Sequence, residues 1–194
     1  MFKNWRRLIF SPFVLKEKRS RKIAYVAMMV ALAIMVNIYE IPSDGSVQWS
    51  FTTAVSILVG ILVGPISGFA ICFLGDGLGF AVHPKGAYTP WIGISTGMMA
   101  LISGMVFLII KNRSEFALYL KLAVISIVTL LICSIGINTT FFWGMYNRNV
   151  PYFKYLLIRY IFKLQIIVSI VNYVLIFILI PVIRKVPFFK SLEL

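Results

Sequence analysis

Long apolar stretches constrain this chain more than any other feature. Six of them, at about residues 23–39, 51–63, 66–82, 91–110, 118–142 and 152–183, are separated by short segments that hold most of the charged residues and prolines. A helix needs about 20 apolar residues to cross a bilayer. Inside the hydrocarbon only helices and closed barrels satisfy their own backbone groups. The chain of 194 residues is 60% hydrophobic, against roughly half in a soluble domain. Six crossings consume most of its length and leave no room for a soluble domain of ordinary size. The expected fold is an all-α integral membrane protein with six transmembrane helices and both termini cytoplasmic. It comprises a basic segment over 1–22, a membrane domain over 23–185 and a tail over 186–194. No internal repeat and no removable signal peptide are expected.

Charge fixes the orientation. Lys and Arg number 19 and Asp and Glu 6, giving +13. In a soluble protein that excess would suggest nucleic acid, but here the bases flank apolar runs and no basic soluble module exists, so no nucleic-acid partner is expected. Residues 1–22 carry eight bases. With Lys111, Arg113, Lys121 and the three near the C-terminus they place fourteen on one side, leaving Lys85, Arg148, Lys154, Arg159 and Lys163. The positive-inside rule puts the heavier side in the cytoplasm. The stretch Met1–Leu15 interleaves bases with Phe2, Trp5, Leu8, Ile9, Phe10, Phe13 and Val14. It reads either as a helix lying on the anionic inner leaflet or as a basic tail.

Catalytic and metal chemistry find little support. Cys72 and Cys133 sit inside apolar runs, as buried small hydrophobes do, and one histidine is too few for most metal sites. There is no His-Glu-x-x-His pattern, no Gly-x-Ser-x-Gly elbow and no phosphate-binding Gly-x-x-x-x-Gly-Lys loop. No catalytic residue, metal or cofactor is expected, and active transport would need ATP hydrolysed by a partner.

Other residues remain for binding and packing. Small residues recur four apart at Ala27 and Ala31, Gly60 and Gly64, Gly64 and Gly68, and Gly93 and Gly97. That spacing lets helices approach closely, within the bundle or, for Ala27 and Ala31, against another membrane protein. Asp76 is the one acid well inside an apolar run, within Leu74-Gly75-Asp76-Gly77-Leu78-Gly79. It reads as a ligand or proton group, or as a buried hydrogen-bond anchor, and the glycines imply close helix contact or a local break. Arg159 and Lys163 lie four apart on the last helix, with Gln165 and Asn172 seven apart further along. This polar face suits an anionic or strongly hydrogen-bonding ligand near the outer surface, or a helix end extended into water or headgroups. The outer loops gather Asn37, Tyr39, Gln48, Trp49, His83, Lys85, Tyr88, Trp91, Trp143 and Asn147. Interfacial Trp and Tyr occur in any membrane protein, but the amides and His83 would also line a pocket for a flat polar molecule.

Three segments resemble a known family. They are Val63-Gly64-Pro65-Ile66-Ser67-Gly68, the Leu74–Gly79 stretch, and Pro84-Lys85-Gly86-Ala87-Tyr88-Thr89-Pro90 leading into a helix. With Ala27-x-x-x-Ala31 on the first helix they resemble S components of energy-coupling factor transporters, and among these the folate-type branch. The resemblance implies a bacterial multi-pass cell-membrane subunit that captures a vitamin from outside with nanomolar-class affinity. It implies docking through Ala27 and Ala31 on a transmembrane coupling subunit (EcfT-like), powered by two cytoplasmic ATPases. The carrier would topple in the membrane to bring its site inward. The folate branch carries an arginine near the outer end of the first helix, where this chain reads Met35-Val36-Asn37-Ile38-Tyr39-Glu40. An uncharged outer face rich in amides and aromatics suits cobalamin, the expected substrate, with folate next and queuosine-like bases or pantothenate as alternatives. Two other classes compete. A lipid-modifying enzyme would need more convergent His, Asp or Glu, and an assembly protein of a membrane complex would need no pocket.

Overall fold

The computed structural model describes residues 8–16, 18–43, 47–84, 88–110 and 115–185. The chain forms a helical bundle: α1 (Pro12–Lys16), α2 (Arg19–Ile38), α3 (Thr52–Val63), α4 (Pro65–Val82), α5 (Pro90–Ile109), α6 (Glu115–Tyr146), α7 (Tyr152–Leu157) and α8 (Gln165–Lys185). Five of these, α2, α4, α5, α6 and α8, are long and apolar enough to cross a bilayer. Helix α3 has 12 residues and rises only about 18 Å, short of the hydrocarbon thickness of about 30 Å. A small antiparallel hairpin, β1 (Ile41–Ser43) and β2 (Val47–Trp49), occupies the loop before α3 and pairs Ile41 with Trp49. The sequence had no period-two signal long enough to reveal it.

Short α3 sits at the centre, with every residue from Ser56 to Val63 buried. Its neighbours approach through small residues. A Cβ on Gly60 would fall 2.0 Å from the Ala100 carbonyl oxygen of α5, and one on Gly104 would fall 2.7 Å from the Gly60 carbonyl. Ser103 adds an interhelical hydrogen bond, donating to the Ile57 carbonyl at 3.1 Å. The turn into α4 follows from Gly64-Pro65. Gly64 has φ +122°, a region that a side chain resists. Pro65 opens α4 where no amide partner is required.

The glycine-rich stretch in α4 divides its labour. Gly75 faces Ala33 and Gly79 faces Asn37, so two pairs of small or short residues, each four apart, seat α4 on α2. Gly77 leaves room for the Tyr88 hydroxyl, 3.2 Å from where its Cβ would lie. The glycines thus serve contact, and α4 runs unbroken.

The last apolar run departs from the expected single helix over 152–183. Helix α7 continues as a π-helical turn, Ile158–Phe162, and the chain then breaks before α8. Leu164 takes φ +58°, a left-handed conformation costing about 1–3 kcal/mol for a residue other than glycine. No Gly or Pro marks the break. A second π-helical stretch, Leu130–Thr139, interrupts α6, and Thr139 there donates to the Ser134 carbonyl at 2.8 Å.

Asn172, read from sequence as part of a ligand face, is buried and ties α8 to α3. Its side-chain oxygen accepts from the Ala54 amide at 3.0 Å, and its side-chain nitrogen donates to the Ser50 carbonyl at 2.8 Å. The early amides of a helix have no partner inside it, so α8 caps α3 across 118 positions of sequence. The N-terminal stretch packs over the opposite end of α3. Ser11 donates its amide to the Val63 carbonyl at 2.6 Å and its hydroxyl to the Leu62 carbonyl at 2.5 Å, and Val14 is buried. Residues 1–7 and the tail 186–194 lie outside the described residues.

These contacts define two ends. A basic end holds the N-terminal stretch, the α3–α4 turn, and Glu115 paired with Arg184 at 2.9 Å. The opposite, aromatic end holds the hairpin, the α4–α5 loop and the α6–α7 loop.

Candidate functional site

At the aromatic end the last turn of α2 and the start of α3 meet over α4. They form a narrow crevice lined by Ala33, Val36, Asn37, Thr52, Val55, Ser56 and Cys72. The crevice is closed, with no room even for one water, far short of the roughly 300–1,000 Å³ of a drug-sized ligand site. Asn37 is half-buried and donates to the Ala33 carbonyl at 2.9 Å. Beside the cleft, Glu40 accepts from the Thr52 hydroxyl at 3.0 Å, an acid placed where the positive end of the α3 dipole favours it.

Asp76 is buried on the side of α4 that meets α5, and a Cβ on Gly93 would lie 2.9 Å from its Oδ2. Glycine at 93 therefore makes room for the carboxylate. Tyr88, in the loop between these helices, lies against Phe80 with ring centroids 5.1 Å apart. Burial, and then the nearby Asp76 charge, raise its phenol above the ordinary value.

From the start of α5 a series of rings leads to a cation. Trp91 meets Phe141 at 5.8 Å, Phe141 meets Phe142 at 6.0 Å edge to face, and Phe142 meets Tyr146 at 6.2 Å. The Arg159 guanidinium lies over the Phe142 ring, 4.8 Å from its centroid. Such contacts are specific in geometry and stabilise by about 0.5–1.5 kcal/mol per pair beyond burial. Trp143 turns elsewhere. It donates its ring N–H to the Val150 carbonyl at 2.7 Å and meets Tyr152 edge to face at 5.5 Å, which clamps the α6–α7 loop.

The structure thus sorts the residues singled out from sequence. Asn37, Asp76, Tyr88, Trp91 and Arg159 join the cleft, the carboxylate and the ring series. Trp143 and Asn147 shape the loop, the Asn147 amide donating to the Trp143 carbonyl at 3.0 Å. Tyr39, Trp49 and His83 are exposed. Lys85 and the side chain of Gln48 lie outside the described residues. Arg159 and Lys163 do not share a face: Arg159 is 6% exposed, whereas Lys163 is exposed at the chain break that ends the π-helical turn. The buried arginine also corrects the expectation of an uncharged outer face. Phe80, Phe141, Phe142 and Tyr152 were missed. Their signal was the Phe141–Tyr146 aromatic cluster, which reads equally well as an interfacial belt.

On α2 the buried face is Tyr25, Met29 and Ala33, while Ala27 and Ala31 point out of the bundle together with exposed Met28 and Met35. Among the described residues no three His, Cys, Asp or Glu side chains gather in a way that could hold a metal.

A bundle of apolar helices, packed tightly at a basic end and lined with rings and buried charge at the other, defines a multi-pass membrane protein. Residues 21–184 match the family described as ECF transporter, substrate-specific component, and the chain belongs to that family. Its members are the substrate-binding subunits of transporters rather than enzymes. The fold is similar to that in a crystal structure of FolT bound with folic acid, with a TM-score of 0.58 and 16% sequence identity over 90% of this chain and 93% of that one. No curated protein matches the sequence.

Proposed function

We propose that this chain captures a ring-bearing vitamin of the folate type at its aromatic end. The aromatic end faces outward and the basic end faces the cytoplasm, in accord with the positive-inside rule. The observation that carries the reading is the ring series from Trp91 through Phe141 and Phe142 to Arg159, which suits a flat heterocycle with a polar or charged appendage. A corrin suits it less: the cobalamin reading rested on an uncharged outer face, and Arg159 removes that premise. The likeness to FolT supports folate over cobalamin. Delivery uses a transmembrane coupling subunit, met by the exposed Ala27 and Ala31 face of α2. Two cytoplasmic ATPases supply the energy, so ATP is a partner's cofactor and not this chain's.

Calorimetric titration of the purified protein with folic acid and with cobalamin tests this. Submicromolar binding of folic acid with no heat from cobalamin is the expected result. Tight cobalamin binding would reverse the order of substrates. A folded protein that binds neither would defeat the folate-type reading and favour an assembly role.

A further inference from the structure

Arg159 is buried deep in the aromatic end, yet its Nε and Nη1 atoms have no hydrogen-bond partner among the described residues. Tyr155 lies within hydrogen-bond reach of the guanidinium, Tyr152 and Tyr160 stand near it, and Phe142 covers one of its faces, but no carboxylate stands among these neighbours. The described acids lie elsewhere, none of them acting on Arg159. Glu115 pairs with Arg184 at the basic end, Glu40 accepts from Thr52, and Asp76 abuts Gly93. An arginine does not shed its charge in a protein, and an unpaired buried charge is among the costliest arrangements a fold can hold.

We infer that Arg159 is an anion-recognising residue and that the transported ligand is an organic acid whose carboxylate meets it. The Phe142 ring blocks approach along one face, so the open donors are reached in the guanidinium plane. That is where the two oxygens of a planar carboxylate align with N–H groups. Nε and Nη1 lie on different edges of the plane, so an acid arriving at either edge finds an unfilled donor. Both atoms are sealed from solvent, so the acid reaches them only by displacing part of the aromatic cover. This inference rests on the reading of the aromatic end as the capture site, and it deepens that reading by naming the group on the ligand that is recognised.

The test measures ligand-induced thermal stabilisation and affinity of the full chain for two matched pairs, folic acid against its diamide and benzoate against benzamide. In wild type each acid should bind about tenfold or more tightly than its amide, as loss of a charge-assisted hydrogen bond implies. Arg159→Gln should bind acid and amide about alike, the acid losing its roughly tenfold advantage. Arg159→Lys, which keeps the charge and loses the planar donors, should prefer acids but bind them about tenfold more weakly than wild type. Equal binding of acid and amide by wild type, or undiminished acid binding by either variant, would overturn the inference. If Arg159→Gln does not fold, Arg159→Lys decides alone. Benzoate discrimination without folic acid binding would uphold the inference and sink the folate reading. Folic acid binding indifferent to amidation would do the reverse.

Discussion

Each end of the bundle buries one cation against one aromatic ring, and the two differ in what the charge requires. Near the basic end, Lys121 is 1% exposed with Nζ 5.0 Å from the Phe107 centroid and no hydrogen-bond partner among the described residues. At the aromatic end, Arg159 lies over Phe142 with two unfilled nitrogens. A lysine carries a compact point charge on a flexible stem, whereas an arginine holds five donors in a fixed planar fork. The arginine therefore asks more of its surroundings. The surroundings differ in the same sense. At the basic end Ser11, Ser67, Glu115 and Arg184 are all satisfied within the chain. At the aromatic end the Asn138 side-chain oxygen, like two of the Arg159 nitrogens, is buried without a partner among the described residues. Lys121 apart, the polar side chains named at the basic end are closed by folding, whereas the aromatic end keeps two open guanidinium nitrogens.

Three substitutions probe this contrast. The largest effect is expected from Gly64→Val at the basic end. Its φ of +122° is hostile to a β-branched residue, and the new Cβ would fall 2.6 Å from the Ser11 amide nitrogen. Backbone strain alone costs about 1–3 kcal/mol, so the melting temperature should fall clearly while the folded fraction keeps its ligand affinity. Lost affinity in folded protein would mean that the two ends are not separable. Trp91→Ala comes next, at the start of the ring series. Truncating an aromatic contact residue commonly costs more than about 1 kcal/mol of binding, so ligand affinity should drop about tenfold by calorimetry. Because Trp91 is half exposed, its melting temperature should move little. Unchanged affinity would place the capture site away from these rings. The smallest effect belongs to Lys121→Met. Replacing a buried charged group by an apolar one of similar size is often neutral or stabilising, so denaturation should shift by no more than about 1 kcal/mol with binding intact. A marked loss of stability would reveal a partner for Lys121 and erase the contrast with Arg159.

Much of this architecture is legible in the residues. Apolar runs of helical length became helices, and Gly64-Pro65 turned the chain where a positive φ and a missing amide allow it. What sequence left open about Leu74–Gly79, break or contact, was decided by partners on other elements: Ala33 and Asn37 on α2, Tyr88 in the loop, and Gly93 on α5 facing Asp76. The break before α8 was not legible, because Lys163-Leu164 carries none of the residues that usually end a helix. The phase shift of the π-helical turns was equally hidden, and with it the separation of Arg159 from Lys163. Asn172 misled for a plainer reason: a polar residue in an apolar run signals that something needs a hydrogen bond, without saying whether that is a ligand or another helix.

The cap that Asn172 places on α3 also bears on biosynthesis. When the ribosome has made α3 and α4, the Ala54 amide and the Ser50 carbonyl still await a side chain that lies 90 residues beyond the end of α4 at Val82. Until then these groups must be held by water or lipid headgroups, which keeps the leading edge of α3 at the membrane surface. Helix α3, short and central in the finished protein, would therefore be among the last to settle, with the closing segment of the chain locking it in place.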